Sequence, residues 1–490
     1  MTNFPLVSII IPVYNMEMYI EETLISVIGI DYPTIEIIIV DDGSTDKTAE
    51  ICLRYSSEFK NIRYYYQQNA GPAKARNYGI SGAKGEFIFP VDGDNKIAPD
   101  FLKKAIDVLL SDNDVKVVAP SGEFFGERTG TWNLPEFSLQ LLARKNMMDT
   151  CAVFRKSDWE KTGGYCEEII AREDWEFWIS MLKRGGQVVK LPLPGIYYRI
   201  RSGSKRQTDR QLKKHVVDTL NKRHKAFFHR MLGGKLRYAR SWSRSINFVL
   251  SLVKNQKVEI SPAFSEFDEF VYSIPEIFAE SGTVLHKGRN EISCIRYMNT
   301  DFVIKSFKKP NLLNQLIYSF IRKSKARRSF EYAKRLLTND IKTPEPVAFI
   351  EERRFLLFNR SFYISLLVPE CVQFRELINN RDYPQRNEII TVVATFTASL
   401  HHKNVYHNDY SAGNILIRKS DAGFHIYVTD LNRIRFKKID INAGCKNFER
   451  LDLEEKALEL MAHIYAEKMN YNETECVSLL KKYRWRKLKN

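Results

Sequence analysis

No CxxC pair occurs in this chain, and its seven cysteines, Cys52 to Cys476, follow no regular spacing. That argues against a disulfide framework and for free, mostly buried thiols in a reduced compartment. Long apolar runs are also missing. The start MTNFPLVSIIIPVYN has neither a basic flank nor a small-residue cleavage site, and neither its apolar stretch nor any later one reaches spanning length. The expectation is a cytoplasmic chain, peripheral on the inner face of the cytoplasmic membrane if it meets a membrane at all. There is no internal repeat and no low-complexity segment. No GxGxxG occurs, and no histidine precedes His215.

What is present is enough apolar material for packed cores. The chain has 490 residues and is 44% hydrophobic, which excludes overall disorder and makes two domains the natural expectation. A net charge of +16 suits nucleic acid, an anionic membrane face or phosphate-bearing substrates alike. No nucleic-acid recognition motif or basic-aromatic module accompanies it, so no nucleic-acid partner is expected. The basic residues concentrate between Lys205 and Lys257, where fifteen Lys or Arg stand against two acids. With apolar residues interleaved in KLRYARSWSRSINFVLSLVKN, that stretch reads either as a basic amphipathic helix for an anionic membrane surface or as a solvated connecting helix.

Along the chain, VSIIIPV, EIIIVDD, IRYYY and EFIFPVDG read as strands, alternating with the amphipathic EETLISVIGI and KTAEICLRYSSEF. This βαβ rhythm predicts an α/β domain with a largely parallel sheet, whose ligands bind beyond the carboxyl ends of the strands. A second rhythm follows, with strand-like segments from about Phe270 to Ile364, helical ones from about Cys371 to His401, short strands around NILIRK and FHIYVTDL, and a charged helical tail. The expected division is 1–205, a basic helical linker 206–262, a second domain 263–450 and a tail 451–490.

Asp92-Gly93-Asp94 follows a strand, and residues i and i+2 there point the same way. Two such carboxylates suit Mg2+ or Mn2+, which would bridge a nucleotide diphosphate. Around this pair, in order, stand IIIPVYN (Ile9 to Asn15), VDDGSTD (Val40 to Asp46), NAGPAKARNYG (Asn69 to Gly79) and VDGDN. Over roughly residues 5–205 the sequence resembles glycosyltransferase family 2, and the resemblance implies a GT-A fold and a nucleotide-sugar donor, a UDP-sugar by family habit. It places Pro12, Tyr14 and Asp41 around the nucleotide base with Arg76 nearby, and Asp92 and Asp94 on ribose and metal. It further implies that the acidic pair in REDWEFW deprotonates the hydroxyl of a glycan or lipid-linked glycan acceptor, with Asp174 first and Glu173 second. In-line attack from that side inverts the anomeric configuration. Where many family members carry a histidine, YYRIRSGS has Arg201, whose guanidinium suits a phosphate contact. Trp159, Trp175 and Trp178 are candidates for sugar stacking, with core packing expected for at least two of them.

His407-Asn408-Asp409 with Asn414 fits the HxDxxxxN spacing, and VTDLNR supplies Asp430 after a strand-like run. Asp409 would orient or deprotonate an attacking hydroxyl while Asn414 and Asp430 hold Mg2+ on ATP. Upstream, Lys305 in DFVIKSF and Glu331 in RRSFEYAKRL are the pair expected to clamp the phosphates. Over about residues 265–450 the set resembles the lipopolysaccharide kinase family, the Kdo and heptose kinases, implying a bilobal α+β kinase-like domain. Asp430 is followed by Leu431-Asn432 rather than Phe-Gly, and ESGTVLHKGRNEI offers only Gly282 and Gly288 where a phosphate-covering loop belongs. Together the expectation is a bifunctional enzyme of surface-glycan assembly. A transferase with a non-catalytic kinase-like part and a protein kinase with a sugar-binding module stand as alternatives.

Overall fold

The computed structural model describes residues 4–132, 135–201, 212–288, 290–421 and 423–489. Two compact units divide it, Met1–Val249 and Leu250–Asn490.

The first unit is built on strands β1 (Val7–Val13), β2 (Ile35–Asp41), β3 (Ile62–Tyr66), β4 (Phe87–Pro90), β5 (Lys96–Ile97), β6 (Val115–Gly126), β7 (Gly130–Trp132), β8 (Val153–Arg155) and β9 (Gln187–Ile200). Their order is β3-β2-β1-β4-β8-β6-β9-β5, with β7 on the side of β6. β1 and β2 are nearly continuous β-branched runs because both faces are covered. Ile9, Ile11, Ile37 and Ile39 enter one core, and Ile10, Ile38 and Val40 the other. The Pro72–Ser81 helix comes close to the sheet at Gly79, where an added Cβ would lie 2.7 Å from Ile10 Cγ2.

The parallel half, β3-β2-β1-β4, is the one the sequence rhythm predicts. Beyond it the sheet is mixed, since β8 runs antiparallel to both β4 and β6, and β5 antiparallel to β9. This reversal brings the start of β8 to the carboxyl end of β4, which β5 follows directly in the chain.

The second unit opens with an antiparallel sheet. Its strands are β10 (Lys254–Ile260), β11 (Thr283–Lys287), β12 (Asn290–Tyr297), β13 (Thr300–Phe307), β14 (Pro346–Arg354) and β15 (Leu357–Leu366), in the order β10-β14-β15-β13-β12-β11. A helical part follows, carrying two small sheets: β16 (Cys371–Gln373), β18 (Ile415–Ser420) and β19 (Gly423–Val428) in one, β17 (Val405–His407) and β20 (Ile434–Phe436) in the other. The sheet and the helices each have their own core, giving the bilobal α+β arrangement expected.

Three expected stretches fold differently. Residues 206–262 were expected as a linker, of which 206–211 lie outside the described residues. The remainder does not stand apart: Val216, Val217, Leu220, Phe227, Phe228 and Leu232 join a core of the first unit, and β10 pairs with β14 in the second. Apolar spacing at i, i+3 and i+4 buries one face of a helix however basic the other face is. The tail likewise sends Leu458, Met461, Tyr465 and Cys476 into the helical core. The segment from Phe270, expected as strand, is the helix Asp268–Ile277, whose Phe270, Val271 and Ile274 follow helical rather than alternating spacing. All seven cysteines are free, five of them buried. Among the described residues no helix is long and apolar enough to cross a membrane.

Candidate active sites

In the first unit the acidic residues gather where the strands end. Asp41, fully buried at the end of β2, accepts hydrogen bonds from the Ser44 amide (2.8 Å) and the Tyr64 hydroxyl (2.8 Å). Asp42 accepts the amides of Ala70 and Gly71, both at 2.8 Å, which ties down the loop entering the Pro72–Ser81 helix. Pro12 is buried opposite Val40, while Tyr14, just past β1, is 45% exposed and presents its ring to solvent beside Asp41's strand.

Arg76 is 3% exposed, and its two terminal nitrogens reach Asp92 Oδ1 (2.7 Å) and Glu173 Oε1 (2.8 Å). Asp94 Oδ2 pairs with Arg201 Nε at 2.9 Å. Burial and the charge of Asp92 push the Asp94 carboxyl above its usual range, with Arg201 and Arg199 pulling the other way. The register explains the encounter: β5 pairs Lys96 with Tyr197, which carries Asp94 toward the end of β9.

Asp174, in the first turn of the Glu173–Leu182 helix, accepts from Asn146 Nδ2 at 2.5 Å and from the Trp175 amide at 2.8 Å. No ion pair holds Asp174 among the described residues, whereas Glu173 is taken by Arg76. Burial first, then the charges of Glu173 and Asp149, raise the Asp174 pKa. Trp175 and Trp178 are fully buried, with Trp175 Nε1 donating to Leu142 O, so both pack rather than stack.

Asp149 carried no motif, yet one ligand atom each from Asp92, Asp149 and Cys151 lie within 4.8 Å of one another. Burial and Asp92's charge raise Asp149's pKa. Cys151 is fully buried and its thiol is pushed far up, which keeps it a neutral, soft donor. A hard cation would therefore be held by oxygen, and the carboxylates of Asp92 and Asp149 suit Mg2+ or Mn2+. The available sequence signal was an acid just ahead of a strand, CAVFR, which becomes informative only when that strand runs antiparallel to β4.

In the second unit Lys305 Nζ, on β13, contacts Asp430 Oδ1 at 2.6 Å, and Asn432 Nδ2 donates to the same oxygen at 2.5 Å. Asp430 has φ 56°, a left-handed conformation that aspartate tolerates better than most residues. Asn414 Nδ2 donates to the Asp409 carbonyl at 2.8 Å. Asp409's carboxylate pairs with Arg450 and, at 3.3 Å, with Arg433. Buried His407 bonds the Thr429 carbonyl through Nε2 at 2.9 Å and the Asp409 amide through Nδ1 at 3.1 Å, linking the two loops.

Glu331 does not meet Lys305. Its carboxylate is taken by Lys323 (2.7 Å) and by Arg327 one helical turn earlier (2.8 Å), closer cations that satisfy it locally. The expected clamp is thus a lysine–aspartate contact here. The segment in place of a glycine-rich loop is the β11–β12 hairpin, paired as far as Lys287 with Glu291.

The family model for glycosyl transferase family 2 matches residues 8–166, and that for the lipopolysaccharide kinase (Kdo/WaaP) family matches residues 307–483. An uncharacterized glycosyltransferase of Haemophilus influenzae is 41% identical over 23% of this chain, a match spanning 45% of that protein's own length. The putative teichuronic acid biosynthesis glycosyltransferase TuaG of Bacillus subtilis is 34% identical over 38% of this chain and 75% of its own. Residues 1–349 of S. aureus TarS, solved with UDP-GlcNAc, align at 23% identity over 50% of this chain and 71% of that one, with a TM-score of 0.40.

Proposed function

The chain belongs to glycosyltransferase family 2 and carries a second domain of the lipopolysaccharide kinase (Kdo/WaaP) family, and from that premise we propose that it transfers a sugar and phosphorylates one during surface-glycan assembly. The donor would be a nucleotide-sugar, a UDP-sugar in the first instance, and the acceptor a glycan or lipid-linked glycan.

Asp174 is the base in this reading. The observation that carries it is that Asp174 lies beside the carboxylates of Glu173 and Asp149 with no ion pair among the described residues, while its neighbour Glu173 is held by Arg76. Asp174 takes the proton of the acceptor hydroxyl as that oxygen attacks the anomeric carbon, and the bond to the nucleotide diphosphate breaks on the opposite face, inverting the centre. Tyr14, Pro12 and Asp41 would receive the base, with Arg201 near the phosphates. Asp92 and Asp94, joined by Asp149, would hold a divalent cation, which when bound offsets charge on the departing diphosphate.

In the second domain Lys305, Asn414 and Asp430 would hold ATP with its Mg2+, and Asp409 would accept the proton of the sugar hydroxyl. A non-catalytic kinase-like domain is the second reading, favoured by Asp409's pairing with two arginines and by the absence of Glu331 from Lys305. We place the protein in the cytoplasm at the inner membrane face, a reading supported by the exposed Trp242 and Phe248 near the exposed Arg244 in the first unit.

The test is thermal stabilisation by UDP, GDP, CMP, ADP and ATP with Mg2+ or Mn2+. The expected result is a shift with one diphosphate, lost in Asp94→Ala, and a separate shift with ATP, lost in Asp430→Ala. No response to any diphosphate would overturn the transferase reading, and no response to ATP would leave the second.

A further inference from the structure

The second unit contains a cleft of about 860 Å³ whose lining does not include Lys305, Asn414 or Asp430. Its walls are the end of β13 with the residues after it, the helices Leu312–Phe320 and Lys325–Leu337, part of β15, and the segment leading into β20. Seven of the lining residues are Lys or Arg and none is Asp or Glu. Among the described residues, Lys308, Lys309, Arg322, Arg328 and Arg435 make no ion pair with a carboxylate, so five positive charges face one space uncompensated. Gathering like charges is unfavourable unless something opposite in sign arrives.

Two buried polar atoms point to the same conclusion. Ser361 is fully buried, lines the cleft and leaves its hydroxyl without a hydrogen-bond partner among the described residues, as does the Nε of Arg328. Unsatisfied buried donors cost stability, and an anionic ligand in the cleft would offer both an acceptor. Burial, then the charge of Arg322, pull the Arg328 pKa down, though a guanidinium stays charged all the same.

We propose that this cleft is a second anion site, separate from the nucleotide site, for a ligand carrying two or more phosphate groups. Each phosphate monoester carries about −1.5 to −2 at neutral pH, so two offset most of the charge of the five cations and three neutralise it. The volume suits a small phosphorylated molecule, since ligand pockets run from roughly 300 to 1,000 Å³. The ligand lies against the catalytic loop, because Arg433 and Asn408 line the cleft while Arg433 pairs with Asp409 and Asn432 bonds Asp430. The site does not depend on phosphoryl transfer being catalysed.

Calorimetric titration of the full chain with inorganic pyrophosphate, and in parallel with fructose 1,6-bisphosphate, tests it. The expected result is binding that weakens tenfold or more in the double variant Arg328→Gln/Arg435→Gln and stays within twofold in Asp430→Ala. Because Arg328 is half-buried, the exposed pair Lys309→Gln/Arg322→Gln serves as a second variant and is expected to weaken binding at least fivefold with an unchanged melting temperature. Tighter binding of the bisphosphate than of pyrophosphate identifies a phosphorylated sugar, and equal binding identifies the phosphates alone. Wild-type affinity in both double variants, loss in Asp430→Ala only, or no binding at millimolar concentration each overturns the proposal. A titration of MgATP into the same proteins separates this failure from failure of the kinase reading.

Discussion

Arg76 holds the charge balance of the first site, since one buried guanidinium neutralises Asp92 and Glu173 from opposite sides. Replacing it with methionine keeps much of the volume and removes the cation that both carboxylates share. Losing one partner of a buried pair costs about 3–5 kcal/mol, and the expected outcome is a drop of that size in urea unfolding with an unchanged slope. The acidic pair beside it separates by the same logic. Asp174→Asn is expected to cut turnover about a hundredfold or more while leaving the KM for donor unchanged, whereas Glu173→Gln releases Arg76 and lowers stability. Equal kinetic loss in both variants would contradict the assignment of Asp174 as base. At this scale Asp41, Asp92, Asp409 and Asp430 were all visible as acids closing strands or filling a spaced motif, whereas Asp149 had no local pattern to mark it.

Secondary-structure elements bring these side chains together through close packing. Gly79 lets the Pro72–Ser81 helix approach β1 and β2, and a Cβ there would meet the methyl groups of Ile10 at 2.7 Å and Val40 at 3.1 Å. Gly79→Ala is therefore expected to cost about 1–3 kcal/mol through overpacking and to weaken nucleotide affinity, because the same helix carries Arg76; equilibrium unfolding and a UDP titration read the two effects. In the second unit Asn447, on the helix Ile441–Asn447, accepts from His401 (3.0 Å) and donates to the His407 carbonyl (2.8 Å). That bridge holds the loop leading to Asp409. Asn447→Ala should destabilise by about 1–3 kcal/mol through the unsatisfied groups it leaves, measured by denaturant melts.

The whole molecule carries two separate sets of cores, so calorimetry is expected to resolve two melting transitions, one raised by a nucleoside diphosphate and the other by ATP. Acid should act on the second. Burial lowers the His401 pKa to about 4 despite its bond to Asn447. The folded value lies below the unfolded value near 6.5, so the unfolded chain binds the extra proton; stability is complete above pH 6.5 and declines as pH falls toward 4. The loss amounts to about 2 kcal/mol by pH 5, and His401→Gln should flatten that part of the profile.

The sequence by itself determined the strand-and-helix rhythm of the parallel half, the division into a sheet-rich and a helix-rich kinase-like part, and the motifs at 92–94 and 407–414. These rest on local patterns, alternation, helical spacing and turn chemistry, which neighbouring residues specify among themselves. Only the tertiary structure decided that β8 runs antiparallel to β4 and sets Asp149 against Asp92, that Lys305 meets Asp430 while Glu331 turns to Lys323 and Arg327, and that five cations from distant segments line one cleft. The reason is physical: each of these encounters joins groups far apart in the chain, and strand direction, helix packing and competing nearby charges choose the partners.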